Sequence, residues 1–345
     1  MKSVSLLAAA LLIAGAANAQ GPTNQYGGPS PHPINPPANL TVANKGVDGP
    51  KEGIPSNVYT DYSQDSYVNQ VGNGNTATVD QMDYRSSKAN GGSTAILNQT
   101  GDYNTATQSQ TLTTTPFSND VATNGGRNFV KSTQAGTYSQ SNQTQNGGGY
   151  NSAIVNQGAG TTGNRAIQTQ NIDGTGGDGN QATINQTYYQ DNGPGGNPGS
   201  GSHNRAEQTQ VGHNQGAEID QESTNSFAQQ TQSGGSLPPT TYNTAYIHQG
   251  EPGDANTAKQ MQSGGSANAA SIFQSVGSVA NNNYAEQNQK GDGNQATIVQ
   301  ESNKNYAEQM QVGSGNVAST LQQKVSSASY ISQNGMANMA TVTQK

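Results

Sequence analysis

Four histidines, no cysteine and 21 carboxylates are the residues from which a metal or acid–base centre could be built in this 345-residue chain. His32, His203, His213 and His248 are scattered, without the short spacings by which imidazoles share a zinc ion. No Gly-x-Ser-x-Gly elbow presents a nucleophile. Glu207, Glu286 and Glu308 do recur at one position of a repeated unit, and Tyr284 and Tyr306 stand two residues before the last two. That pattern reads as a solvated stripe that keeps faces from sticking laterally, with an aromatic ladder beside it, rather than as a pair of catalytic carboxylates. Thr76, Thr78, Thr105 and Thr107 do not continue down one face, so they make no flat hydroxyl array. The residues that recur everywhere are Asn and Gln. Their side-chain amides donate and accept hydrogen bonds but exchange no protons near neutrality. The chemistry expected of them is amide-to-amide bonding between stacked copies of one strand, with no enzyme activity, no cofactor and no metal.

The element that must position these amides is a seven-residue unit, Asn-x-Ala-x-x-x-Gln. Asn75/Ala77/Gln81, Asn104/Ala106/Gln110, Asn180/Ala182/Gln186, Asn294/Ala296/Gln300 and Asn338/Ala340/Gln344 are clean copies. With Ser or Gln allowed for Asn, and Ser or Val for Ala, 21 copies run from Gln64 to Gln344. Asn294, Asn316 and Asn338 are 22 residues apart, as are Asn305 and Ser327. A fixed period of this length signals a stacked repeat architecture. Strand alternation puts Asn, Ala, the fifth residue and Gln of each unit on one face, which is assigned to the interior.

The fifth position carries independent information. Odd units 3 to 17 have Leu97, Ser132, Val155, Ile184, Ile219, Ile247, Ile272 and Ile298, whereas even units 4 to 18 have Gln108, Gln143, Gln168, Gln208, Gln230, Gln260, Gln287 and Gln309. This parity predicts that odd strands stack in one parallel sheet and even strands in another facing it. The expected fold is therefore all-β, a two-sheet parallel β-solenoid of about 21 short strands, about ten rungs, with like residues about 4.8 Å apart along the axis. Parity breaks at both ends, with Val68 and Val79 in the first two units and Thr320, Ile331 and Val342 in the last three. Ten of the twenty connections are four residues long, several with Gly second, including Gly72, Gly101, Gly136, Gly212, Gly291, Gly313 and Gly335. The longer connections, such as 111–127 and 187–203, are expected to be surface insertions.

Composition alone would suggest disorder, since only 29% of residues are hydrophobic and 10% charged, with 44 Gly and no Trp. The strict register argues otherwise, because a disordered linker needs none. Ordering one 22-residue rung costs on the order of 20–40 kcal/mol of conformational entropy, and one buried Ile with its Ala neighbours returns a few. Inter-rung ladders must supply much of the remainder, so stability is expected to grow with stack height.

Three segments follow. Residues 1–19 read as a secretory signal peptide: Lys2, an apolar run from Leu6 to Ala17, and Ala17-Asn18-Ala19 as a small-x-small cleavage site. Residues 20–60, with eight prolines among Gly and Asn, read as an extended leader, either a spacer or a secretion address. Residues 61–345 are the solenoid. No other segment is apolar enough for membrane insertion by a helix. Without the first 19 residues, 13 basic face 21 acidic side chains, which disfavours nucleic-acid binding.

The stretch Gln70-Val-Gly72-Asn-Gly-Asn75-Thr-Ala77-Thr-Val-Asp-Gln81 resembles the central part of the curlin repeat, Gln-x-Gly-x-x-Asn-x-Ala-x-x-x-Gln. Gln99 to Gln110, Gln289 to Gln300 and Gln311 to Gln322 match the same stretch, and the resemblance spans 64–344. It implies a subunit of curli, the extracellular amyloid fibres of bacterial biofilms. It also implies a two-sheet β-solenoid fold, export through an outer-membrane channel of a Gram-negative cell, periplasmic chaperones, and polymerisation on a nucleator at the cell surface. The main partner would be the chain itself. The interior ladder expected to carry assembly comprises Gln70, Asn75, Gln81, Gln99, Asn104, Gln110, Asn180, Gln186, Asn294, Gln300, Asn305, Gln311, Asn316, Gln322, Gln333, Asn338 and Gln344. A monomeric secreted solenoid acting as an adhesin or binding protein is the alternative. Its end rungs should be covered, whereas Gln344 stands one residue before Lys345 with no capping helix, which favours the polymer.

Overall fold

A computed structural model describes residues 64–83, 93–112, 128–147, 151–172, 179–187, 201–234, 242–250, 253–275 and 280–345. The expected signal peptide and leader, and most of insertions 111–127 and 187–203, lie outside the described residues. The described chain forms 21 strands. The odd ones are β1 Gln64–Val71, β3 Ser93–Thr100, β5 Phe129–Gln134, β7 Ser152–Gln157, β9 Gln181–Gln186, β11 Gln215–Gln221, β13 Asn243–Gln249, β15 Ala269–Gln274, β17 Gln295–Gln300, β19 Val317–Gln322 and β21 Met339–Gln344. The even ones are β2 Thr76–Asp83, β4 Thr105–Leu112, β6 Gln140–Asn146, β8 Arg165–Asn171, β10 Arg205–Gly212, β12 Phe227–Gly234, β14 Thr257–Ser263, β16 Tyr284–Lys290, β18 Tyr306–Ser314 and β20 Ala328–Met336.

All odd strands form one 11-stranded sheet in sequence order and all even strands a 10-stranded sheet. Every pairing is parallel and in register on the unit, for example Ala296 with Ala318 and Gln300 with Gln322. Because the side-chain period is two, a one-residue slip would turn every amide to solvent. The repeated interior set is what holds the register. Among the described residues no helix is long and apolar enough to cross a membrane.

The fifth-position parity has a packing cause. Val155, Ile184, Ile219, Ile247, Ile272 and Ile298 of the odd sheet form one buried cluster with Ala166, Ala206, Ala228, Ala258, Ala285 and Ala307 of the even sheet. A large aliphatic side chain therefore meets the small residue of the facing strand. Where the even sheet is large, with Gln, the odd sheet supplies backbone carbonyls rather than bulk, as described next.

Candidate functional site: the amide ladder and its edges

Two files of Gln close the units. In the odd sheet, Gln70 donates to Gln99 (2.7 Å), Gln99 to Gln134 (2.8 Å), and Gln274 to Gln300 (2.8 Å), Gln300 to Gln322 and Gln322 to Gln344 (both 2.9 Å). Gln186 sits in the same file between Gln157 and Gln221. In the even sheet Gln81 donates to Gln110 (2.7 Å), and Gln311 to Gln333 (2.9 Å). A third file is the fifth-position Gln of even strands, from Gln108 to Gln309.

Beyond Gln70, each amide nitrogen of these files carries a second proton, which is spent across the core. Gln108 donates to the carbonyl of Ile96, Gln260 to that of Tyr246 and Gln309 to that of Thr297, all 2.9 Å. The ladders thus tie rung to rung and sheet to sheet at once. Sequence reasoning anticipated only the axial bonds.

The Asn positions add bonds to the backbone that the expected amide-to-amide pairing did not include. Asn294 Oδ1 accepts the backbone N–H of Asn316 (3.1 Å), and Asn294 Nδ2 donates to the carbonyl of Gly313 in the next arc (2.9 Å). Asn316 does the same to Asn338 and Gly335 (both 3.0 Å). Asn75 binds Asn104 and Gly101, Asn104 binds Ser139 and Gly136, and Asn180 binds Gln215 and Gly212. Asn305 accepts from Ser327 N–H but turns its nitrogen to Ser302 of its own arc. An Asn side chain is too short to leave the strand end, so its bonds staple the turn. Side-chain amides also meet at Asn316–Asn294 and Asn338–Asn316.

Of the named residues, most are buried. Gln70 and Asn338 are exposed, and Asn75, Gln81 and Gln344 are half-buried, all in the strands or turns of the first and last rungs.

On the outside, the Glu stripe is only partly contiguous. Glu286 pairs in register with Lys259 and Glu308, whereas Glu207 lies beside Gln229 and is held by Arg205. Tyr284 and Tyr306 stack at 5.2 Å, Tyr284 OH donates to Glu286, and Tyr306 OH donates to Glu308 at 2.8 Å. Desolvation and then the Glu286 carboxylate raise the Tyr284 hydroxyl above the usual phenol range, and at Tyr306 the bond to Glu308 leads the same shift. Both rings are therefore neutral donors at physiological pH. His213 lies in the arc before β11 and His248 near the end of β13, and the described residues hold no group of three or more His, Asp or Glu placed to bind a metal.

One cluster was missed by sequence reasoning. Glu218 and Asp220 of β11 and Tyr246 and His248 of β13 point outward yet are largely buried, with Phe273 against Tyr246 at 5.5 Å. His248 Nδ1 lies 3.5 Å from Asp220 Oδ2. The available signal was the run of aromatic residues at outward positions of consecutive odd units. Burial, then Asp220, pushes Glu218 up to about 7, while His248 opposes the shift. At His248 burial disfavours the proton, but Asp220, Glu222 and Glu218 together outweigh it and the net shift is upward.

Both shifts have one sign for stability. Between its ordinary value near 4.5 and about 7, folded Glu218 keeps a proton that the unfolded chain has lost, so stability falls as pH rises through that window. The His248 contribution is present below its ordinary 6.5 and is lost as pH rises through its higher folded value. The folded chain is expected to lose about 3 kcal/mol between pH 4.5 and 8 from Glu218 alone. Denaturant midpoints at the two pH values read this directly. Glu218→Gln should flatten the profile, and an unchanged profile would exclude Glu218 as its source.

Fold and ladder together define a class: a parallel β-solenoid of two facing sheets with an amide-lined interior. No protein-family model matches the chain, and no curated protein matches it.

Proposed function

We propose that this chain is a secreted structural subunit that self-assembles end to end into curli-like extracellular amyloid fibres, which bind cells and one another in a biofilm matrix. The observation that supports this reading most directly is the state of the edge rungs. β1, β2, β20 and β21 carry the closing Gln of the unit and the in-register backbone of the inner rungs, but among the described residues each is paired on one side only. Gln344 accepts from Gln322 and its own Nε2 reaches only the carbonyl of Ala328. Such an edge is a template for another strand of the same kind. The curlin-repeat resemblance of 64–344 points the same way and adds the expected outer-membrane channel, chaperones and nucleator.

Incubation of the chain without residues 1–19 should give unbranched fibrils that bind thioflavin T, seen by electron microscopy, with fibre reflections near 4.7 and about 10 Å. A chain that stays a soluble monomer for days at micromolar concentration would fit the monomeric adhesin instead and would sink the assembly reading.

A further inference from the structure

Resting on that assembly reading, we infer that successive subunits join with a half turn about the fibre axis, so that the odd sheet of one copy continues the even sheet of the next. Three features of the two end surfaces point to this junction, and a fourth permits it.

The first is strand parity. With 21 strands, the top of the described stack is β20 in one sheet and β21 in the other, while the bottom is β1 and β2. A copy added by translation puts its β1 on β21 and leaves one strand position vacant between β20 and its β2. A copy turned by half a revolution puts β1 on β20 and β2 on β21, and leaves none. The half turn also restores strand direction, because the two facing sheets run oppositely around the solenoid.

The second is the shape of the arcs. At the top, the arc between β20 and β21 carries Gly335 with φ 117° at its second position, continuing Gly291 and Gly313 below it. The arc on the other side, between β19 and β20, reads Gln323-Lys324-Val325-Ser326 and has no such glycine. At the bottom, the Gly arc, Gly72 with φ 116°, lies between β1 and β2. Only the half turn sets Gly72 of the incoming copy over Gly335. The Gly313-over-Gly335 contact, where a Cβ would meet the carbonyl oxygen at 1.9 Å, shows how closely such arcs nest.

The third is the Asn staple. Asn294 and Asn316 each donate to the Gly carbonyl of the next arc and accept the next Asn N–H. Asn338 follows them in that column, and under a half turn it meets Gly72 and Asn75 of the incoming copy, the residue types that the staple uses. Under translation it meets Gln64.

The fourth is the fifth position. The Gln file of the even sheet stops inside the chain at both ends. Gln309 Nε2 is capped by Thr320 Oγ1 at 3.0 Å, and the buried Gln108 Oε1 has no hydrogen-bond partner above Val79. A half turn makes each file change identity, which a run of Gln could not do without leaving amides unpaired. The residues that meet are Ile331 with Val68 and Val342 with Val79, all without amides. The broken parity at the ends thus permits a sheet exchange, and the other three features decide it. Outside, the exposed Tyr330 comes over Tyr67, as Tyr306 lies over Tyr284 within the chain.

The chain has no cysteine, so the junction can be read by cross-linking. Strands in register stand about 4.8 Å apart, within the Cα separation a disulfide spans. Thr341→Cys with Thr78→Cys is the half-turn pair, and Thr341→Cys with Tyr67→Cys is the translation pair. Each pair is at opposite ends of one subunit and can close only between subunits. Mature fibres are oxidised, dissolved in denaturant and run without reductant. A ladder of covalent oligomers from the first variant, with monomer from the second, is the expected result. Tyr330→Cys with Tyr67→Cys should also give the ladder, which guards against a defect local to Thr341. A ladder from the translation pair, or from none of the three in fibres that form normally, overturns the half turn alone. An unmodified chain that forms no fibres overturns the assembly reading and this junction with it.

Discussion

Gly313→Ala is expected to prevent assembly under conditions in which the unmodified chain forms fibres, whereas Gly315→Ala, two residues away, is expected to leave it nearly intact. Gly313 has φ 112°, and a Cβ there would stand 1.9 Å from the Gly335 carbonyl oxygen and 2.8 Å from its carbon. Both atoms are backbone, so no side chain can swing aside. The same oxygen accepts from Asn316 Nδ2 at 3.0 Å, so forcing the arcs apart also breaks the staple. Backbone strain and overpacking together come to roughly 3–5 kcal/mol. Gly315 also has a left-handed backbone, φ 66°, but a Cβ there meets nothing within 4 Å. Its counterparts include Ala337 at φ 55° in the next arc and Tyr103 at φ 57° in a distant one, so a side chain is admitted there for about 1 kcal/mol. Denaturant midpoints and thioflavin T kinetics of the two variants make the comparison. Equal effects would mean that the arcs do not nest as described.

The sequence made the sheet assignment legible through one position in seven. Alternation of Ile and Gln at the fifth residue identified two stacks, and the structure separates Ile298 and Gln309 into the odd and even sheets accordingly. Strand existence was legible because interior and exterior sets alternate with period two. The role of Asn was not, because Asn and Gln carry the same amide and differ only in reach. At the strand end that difference of one methylene brings Asn within reach of the next arc's carbonyl, whereas Gln reaches its own kind and a carbonyl of the facing sheet. The cross-sheet bonds of the Gln files were invisible for another reason. Their acceptors are backbone carbonyls such as that of Ile96, and every residue has one whatever its type. The cluster of Glu218 with His248 was not legible because alternation assigns both to solvent, whereas the outer face of β11, β13 and β15 is largely buried.

The same amide logic gives the second large effect, at Gln300. Its Nε2 donates to Gln322 Oε1 and to the Tyr284 carbonyl, both 2.9 Å, and its Oε1 accepts from Gln274 Nε2 at 2.8 Å. Gln300→Leu preserves most of the volume and deletes all three bonds. Gln274 Nε2 keeps its second acceptor, the Thr257 carbonyl at 3.0 Å, so the loss falls mainly on the two acceptors above and across the core. At about 1–3 kcal/mol for each buried group deprived of a partner, the variant should lose roughly 2–6 kcal/mol. Thr297→Ala on the same strand removes an outward side chain. The Thr297 carbonyl that receives Gln309 is backbone and stays, so its cost should be a few tenths of a kcal/mol. Because one Gln file runs unbroken from Gln70 to Gln344, the Gln300→Leu defect also divides it into two shorter ladders. Dissociation of its fibres in denaturant should therefore begin at lower concentration than for Thr297→Ala. Matching dissociation curves for the two variants would place Gln300 outside the interior ladder and remove the energetic basis for assembly through it.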